Sequence, residues 1–119
     1  MKLQHLGIIL DGNRRWAKEK GLSTSEGHRH GLGRVREVIE WAKEQGIKIL
    51  TLFVFSTENW KRPKREVNYI LKLAKEAIDK YIEQLYQEGI KVRVIGKREK
   101  LPKSLRKLIE RAEELTKNN

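Results

Sequence analysis

The segment Leu6–Trp16 constrains the fold of this chain more than any other. It begins with a short apolar run, Leu6–Leu10, which is typical of a buried strand. The turn sequence Asp11–Asn13 follows at once, and Arg14–Lys20 can then form a short helix that ends at Gly21. The chain therefore begins with a strand that leads directly into a helix.

The residues after this strand suit a phosphate site. In α/β sheets, ligands bind where strands end and helices start, because unpaired N–H groups and the positive end of the helix lie there. Asp11 occupies that point, with Arg14 and Arg15 close behind. A carboxylate beside arginines suits a divalent cation held between the carboxylate and a diphosphate. On this stretch alone, the alternative is that Asp11 caps the helix and the arginines are solvated.

The hydrophobic pattern of the rest of the chain predicts an α/β fold. The sequence predicts a polar loop at Leu22–Glu26, a helix at 27–45 and a central strand, covered on both faces, at Ile47–Phe55. It then predicts a long helix at Glu66–Leu85, a third strand at Ile90–Gly96 and a last helix from Pro102. The order is β-α-α-β-α-β-α in a single α/β domain over residues 1–119, with a mostly parallel sheet flanked by helices. Three strands are few for this class.

Composition limits the partners and the compartment. A net charge of +11 favours anionic partners, which include nucleic acid, diphosphates and acidic membrane surfaces. The absence of cysteine excludes disulfides and thiolate zinc sites and fits a reducing cytoplasm. No apolar run approaches the roughly 20 residues that cross a bilayer, and the start of the chain lacks a signal-peptide core. We therefore expect a soluble, cytoplasmic protein.

A second polar cluster follows the central strand, at Ser56, Glu58 and Asn59, and leads into Trp60 and Arg62. Neighbouring parallel strands end at the same edge of a sheet, so this cluster is predicted to lie beside Asp11. Taken singly, these residues are equally typical of a turn and a helix cap.

The histidines and glycines give weaker signals. His28, at a predicted helix start, could contact a phosphate or relay a proton, and the alternative is a surface histidine. Gly12, Gly27 and Gly31 indicate a phosphate loop only weakly, because they have neither the Walker nor the dinucleotide spacing.

Three motifs in order resemble the cis-prenyltransferase family, which includes undecaprenyl diphosphate synthase. They are His5–Ala17, Gly27–Gly31 and Phe55–Val67. The two consecutive arginines after Asn13 are similar to the sequence that the dehydrodolichyl-type members have at this point. The family carries an arginine upstream of the Gly-His pair. At that position this sequence has Thr24. The resemblance covers the whole chain but only about the first half of the family domain.

The resemblance implies a Mg²⁺-dependent condensation of isopentenyl diphosphate onto an allylic diphosphate. By this likeness Asp11 is the magnesium ligand and a catalytic carboxylate, and Asn59 is the proton acceptor. The implied substrate-binding residues are Gly12, Asn13, Arg14, Arg15, Trp16, His28, Ser56, Thr57, Glu58, Trp60 and Arg62. The product would be a polyprenyl diphosphate delivered to the membrane, to which the protein could bind peripherally.

The missing half of the family domain sets the functional expectation. The later strands, the arginine motif that holds isopentenyl diphosphate and a second acidic metal ligand are absent from this sequence. We therefore predict an incomplete version of the family fold that holds the allylic site, is inactive alone, and forms a homodimer or associates with a C-terminal half. One alternative is a non-catalytic binding half of a heteromer. Another is a basic nucleic-acid-binding α/β module, although no nucleic-acid motif is present.

Overall fold

A computed structural model describes residues 2–119 of this chain. Its elements in order are β1 (His5–Ile9), α1 (Asn13–Glu19), α2 (Thr24–Gly33), α3 (Val35–Glu44), β2 (Ile49–Phe53), a 3₁₀ helix (Thr57–Lys61), α4 (Lys64–Gln87) and α5 (Lys103–Thr116). The chain divides into two compact units, one ending at Ile70 and one running from Leu71 to Asn119.

The two strands form a parallel sheet. β1 and β2 pair in register from His5 opposite Ile49 to Ile9 opposite Phe53. Beyond the last pair, the Leu10 N–H donates to the Phe53 carbonyl oxygen at 3.2 Å. The segments that follow both strands therefore leave from the same edge. The predicted α/β class with a parallel sheet flanked by helices is confirmed.

The segment between the strands contains one helix more than predicted. The predicted loop Leu22–Glu26 is wrong because Ser23 caps α2, its Oγ accepting the Glu26 N–H at 3.1 Å. The single helix predicted to follow is also wrong, since α2 ends before Arg34 and α3 begins after it. At the break, the Arg34 N–H reaches back three residues to the Gly31 carbonyl oxygen. The glycines at the end of α2 lower the helix propensity there.

The sheet is more exposed than predicted. Ile49 and Phe53 of β2 are 54% and 61% exposed, and Ile9 of β1 is 71% exposed. A strand covered on both faces needs further strands and helices around it. Since residues 2–119 supply only these two strands, the prediction of full burial for β2 is wrong.

The predicted strand Ile90–Gly96 is not formed. The Val92 N–H donates to Thr116 Oγ1 at 2.9 Å, and the Val94 N–H donates to Glu113 Oε2 at 3.0 Å. Side chains of α5 thus accept hydrogen bonds from the backbone N–H groups of two alternate residues. In a strand, such N–H groups would donate to a neighbouring strand. The prediction of a strand here is wrong for that reason.

The second unit is organised by the apolar face of α5. Its buried residues recur at helical spacing, at Leu105, Ile109, Ala112 and Thr116. Beyond α5, the Asn119 side-chain amide donates to the carbonyl oxygens of Tyr86 and Ile90 at 3.2 and 2.8 Å. These bonds satisfy one acceptor in the last turn of α4 and one just beyond that helix.

Candidate functional site

A cavity of about 290 Å³ lies where β1 leads into α1. The residues that line it are Leu10, Asp11, Gly12, Asn13, Arg14, Arg15, His28 and Arg62. The cavity therefore brings together residues that the sequence places in three separate motifs. Asp11 and Arg62 share it, as expected for segments that leave the same edge of a parallel sheet.

The turn between β1 and α1 requires a glycine. Gly12 has φ of 85°, in the left-handed region that other residues avoid. Its N–H donates to Oδ1 of Asp11 at 2.7 Å, and its carbonyl oxygen accepts the Trp16 N–H at 2.9 Å. No side chain among residues 2–119 caps the start of α1. The start of α1 at the cavity wall thus has no side-chain cap from its N-cap residue, Gly12.

Close packing of α2 on the start of α1 places His28 at the cavity. A β-carbon at Gly27 would overlap the carbonyl oxygen of Asn13, and one at Gly31 would overlap the Asn13 side chain. Neither glycine lines the cavity, so their contribution is the close approach of the two helices. The buried His28 lies on α2 beside Gly27.

Glu66 joins the basic side chains of the cavity. Its Oε1 lies 2.9 Å from His28 Nε2, 3.2 Å from Arg62 Nη1 and 3.6 Å from Arg14 Nε. The carboxylate side chain is only 9% exposed. Glu66 is not among the site residues predicted from the sequence. The available signal was its place four residues after Arg62, at the start of a long helix, where the two can pair.

The charge of the cavity suits an anion with a metal ion. Three arginines and a histidine line it, against the single carboxylate of Asp11. Among residues 2–119, no group of three histidine, aspartate or glutamate side chains is placed to hold a metal alone. Mg²⁺ commonly binds through one or two carboxylates together with substrate phosphates and water. The exposed Asp11 carboxylate therefore fits Mg²⁺ in combination with a diphosphate.

The remaining predicted site residues do not line this cavity. Asn59 Oδ1 accepts the Ser56 N–H at 3.0 Å, which closes the turn after β2. Thr57, Glu58 and Trp60 belong to the 3₁₀ helix, and the Trp60 ring packs edge-on against Phe55 at 5.0 Å. Trp16 is 38% exposed and lies against the His30 ring at 5.1 Å. Their predicted roles in substrate binding stay predictions.

No helix among residues 2–119 combines the length and the apolar character needed to cross a bilayer.

Comparison with known proteins gives consistent matches over nearly the whole chain. Residues 9–119 match the family model described as "Putative undecaprenyl diphosphate synthase". An isoprenyl transferase of Bacillus thuringiensis subsp. konkukian is 44% identical over 116 residues, which are 98% of this chain and 45% of that protein. A ditrans,polycis-undecaprenyl-diphosphate synthase ((2E,6E)-farnesyl-diphosphate specific) of Pasteurella multocida is 45% identical over 98% of this chain and 48% of that protein.

The fold also matches solved structures. Lavandulyl diphosphate synthase from Lavandula x intermedia, solved in complex with dimethylallyl diphosphate, superposes with a TM-score of 0.94 at 34% identity. The match covers 98% of this chain and 50% of the lavender chain. The present chain thus spans about half the length of the curated relatives it matches.

Proposed function

Because this chain belongs to the undecaprenyl diphosphate synthase family of prenyltransferases, we propose that it supplies the allylic-diphosphate half of a cis-prenyltransferase. The complete reaction condenses isopentenyl diphosphate onto an allylic diphosphate to extend a polyprenyl chain. The present chain holds the allylic diphosphate and turns it over little or not at all by itself.

The cavity between β1 and α1 is the observation that carries this proposal. Arg14, Arg15 and Arg62 line one space together with His28 and the start of α1. Guanidinium groups match phosphate oxygens in a fixed, bidentate geometry. A diphosphate leaving group gains negative charge as its bond to carbon breaks, and preorganised cations stabilise that charge. The arginines therefore serve both the binding and the departure of the diphosphate.

Asp11 is the proposed Mg²⁺ ligand. Its carboxylate stands at the same cavity as the arginines, with Oδ1 already accepting the Gly12 N–H at 2.7 Å. That hydrogen bond holds the carboxylate toward the turn. When bound, Mg²⁺ would neutralise charge on the diphosphate oxygens.

The segment after β2 is proposed to meet the rest of the substrate. Ser56, Thr57, Glu58 and Trp60 would bind it, and Asn59 would accept the proton that the condensation releases. Support comes from the family match and from the parallel pairing that brings the ends of β1 and β2 to one edge of the sheet. Trp16, in α1, would form part of the wall of the site.

The proposed partners follow from the share of its relatives' length that this chain spans. The chain spans about half of its relatives, so the isopentenyl diphosphate site is proposed to come from a C-terminal half or from association with another chain, including a homodimer. We also propose a cytoplasmic location, with the polyprenyl product passed to the membrane. A non-catalytic binding half of a heteromer would have the same allylic site.

Calorimetric titration with farnesyl S-thiolodiphosphate, a non-reacting analogue, tests the proposal. We expect Mg²⁺-dependent binding that weakens at least about tenfold in Asp11→Asn, because the carboxylate joins the metal to the site. Asp79→Asn is the matched control, since Asp79 is an exposed residue of α4 and is far in sequence from the motif. Asp79→Asn should bind as the parent chain does.

Two outcomes would contradict the proposal. Binding that is unchanged both without Mg²⁺ and in Asp11→Asn would show that the cavity is not a metal–diphosphate site. Binding of RNA or DNA that falls steeply with salt, without diphosphate binding, would favour the nucleic-acid alternative. Binding without incorporation of isopentenyl diphosphate is the result we expect for the chain alone.

A further inference from the structure

The part-buried carboxylate of Glu66, beside the diphosphate cavity, is the feature that the proposed reaction leaves unexplained. Glu66 does not line the cavity, yet its Oε1 faces three side chains that do. Those three side chains come from α1, α2 and the segment before α4. We propose that Glu66 is a positioning residue that holds His28 and Arg62 in the geometry that receives a diphosphate, an inference that rests on the function proposed above.

The distances rank how tightly each group is held. His28 Nε2 is 2.9 Å from Oε1, and the side chains of both residues are 9% exposed. Arg62 Nη1 is 3.2 Å away on a side chain that is 27% exposed. Arg14 Nε is 3.6 Å away on a side chain that is 53% exposed. Glu66 thus fixes His28 and Arg62 and leaves Arg14 largely able to reorient toward a ligand.

The contact also decides which nitrogen of His28 carries a proton. An ionised carboxylate only accepts hydrogen bonds, so the Nε2 that faces Glu66 must be an N–H. A histidine held in this way presents a fixed ring face and a fixed tautomer, as the carboxylate partners of metal-binding histidines impose. The ring is then preorganised toward the cavity without help from the ligand.

The sign of an affinity change separates positioning from a simple charge effect. Glu66→Gln removes a negative charge close to the cavity, and long-range electrostatics alone would therefore tighten the binding of an anion. Loss of the charged hydrogen bonds to His28 and Arg62 would instead let both side chains move and would weaken binding. The two explanations predict opposite results for the same substitution.

The test is calorimetric binding of farnesyl S-thiolodiphosphate with Mg²⁺ to the full chain and its variants. We expect Glu66→Gln to bind about tenfold more weakly, the effect of losing a charge-assisted hydrogen bond. Glu37→Gln is the matched control, because Glu37 pairs with Arg34 at 2.8 Å on an exposed surface and loses the same charge. It should leave the affinity unchanged.

A second measurement needs no variant and so does not depend on Glu66→Gln folding. Long-range ¹H–¹⁵N spectra of the imidazoles of the parent chain should show a protonated Nε2 on His28. An unprotonated Nε2 would overturn the proposal, as would Glu66→Gln binding as tightly as the parent chain or more tightly. No binding by the parent chain and by Glu37→Gln would overturn the proposed function itself, and this inference with it.

Discussion

Two carboxylates, Glu66 and Glu113, each accept hydrogen bonds from an arginine, one in each compact unit. Glu113 Oε2 accepts from Arg98 at 2.8 Å and from the Val94 N–H at 3.0 Å, and Arg98 also donates to the Val94 carbonyl oxygen at 2.7 Å. This closed set ties the segment that contains Val94 and Arg98 to α5. Glu66 Oε1 instead faces only side chains, and those side chains line a cavity.

The two clusters differ in what they serve: that of Glu113 stabilises the fold, and that of Glu66 faces a ligand cavity. Glu113 accepts one hydrogen bond from the backbone N–H of Val94 and one from Arg98, which itself donates to a backbone carbonyl oxygen, so this cluster satisfies backbone groups that folding must pair in any case. Two of the groups that face Glu66, Arg14 and Arg62, have further guanidinium N–H donors at the cavity. Both units are rich in lysine and arginine, so charge alone would not distinguish them. Convergence of cations on one space is what marks the site.

The largest effect is expected where α1 and α2 meet. Gly27→Ala places a methyl group against the Asn13 carbonyl oxygen and 2.7 Å from the Ala17 β-carbon. Overpacking of this kind costs about 1–3 kcal/mol of unfolding free energy, and it should also weaken diphosphate binding by displacing the cavity wall. Urea unfolding of the full chain measures the first effect, and calorimetry measures the second.

Gly33→Ala is the matched control for that substitution. A β-carbon at Gly33 meets nothing within 4 Å, in the last turn of the same helix. Alanine should therefore leave stability unchanged or raise it by about 0.5–1 kcal/mol. Equal destabilisation by the two substitutions would show that the close approach of α2 to α1 is not what requires glycine.

A smaller effect, dependent on pH, is expected at Glu113. The Arg98 hydrogen bond and then the Val94 N–H lower the pKa of the Glu113 carboxyl below its ordinary 4.5. Its stabilisation is therefore complete above pH 4.5 and is lost as the pH falls through the lower value of the folded protein. Glu113→Gln should cost about 1 kcal/mol at neutral pH and remove this part of the acid dependence.

Amide exchange of Val94 measures that prediction locally. Protection at Val94 should fall in Glu113→Gln, while diphosphate binding should stay unchanged. Glu114→Gln is the control, because Glu114 is exposed and pairs with the solvated Lys117, the residue just after α5, at 2.7 Å. Such surface pairs contribute little. Weaker diphosphate binding in Glu113→Gln would contradict the conclusion that Glu113 serves the fold and Glu66 serves the ligand site.

Local sequence signals predicted much of this fold. The apolar run and turn residues at Leu6–Asn13 located β1 and the start of α1, because glycine and short apolar runs act locally. The spacing of the Ser23-to-Glu26 capping box is present in the sequence, although the polar composition of this stretch predicts a loop. Its outcome shows that a polar stretch with this spacing should be considered first as a helix start.

The errors arose where a local pattern depends on distant partners. The alternating residues of Ile90–Gly96 are strand-like, but Thr116 and Glu113 take the backbone donors, and nothing in the segment itself reveals that. Glu66 was missed for the same reason, since its contact with His28 joins residues 38 positions apart. The cavity group from Asp11 to Arg62 was predictable because adjacent parallel strands must end at one edge.

Chemical-shift mapping on the full chain locates the residues that a diphosphate contacts. Farnesyl S-thiolodiphosphate with Mg²⁺ should move the backbone amide signals of Gly12–Arg15 most, together with side-chain signals of His28 and Arg62. Signals from the basic segment Lys91–Lys100 should stay in place. Shifts concentrated in Lys91–Lys100, with Gly12–Arg15 unmoved, would contradict a diphosphate site between β1 and α1.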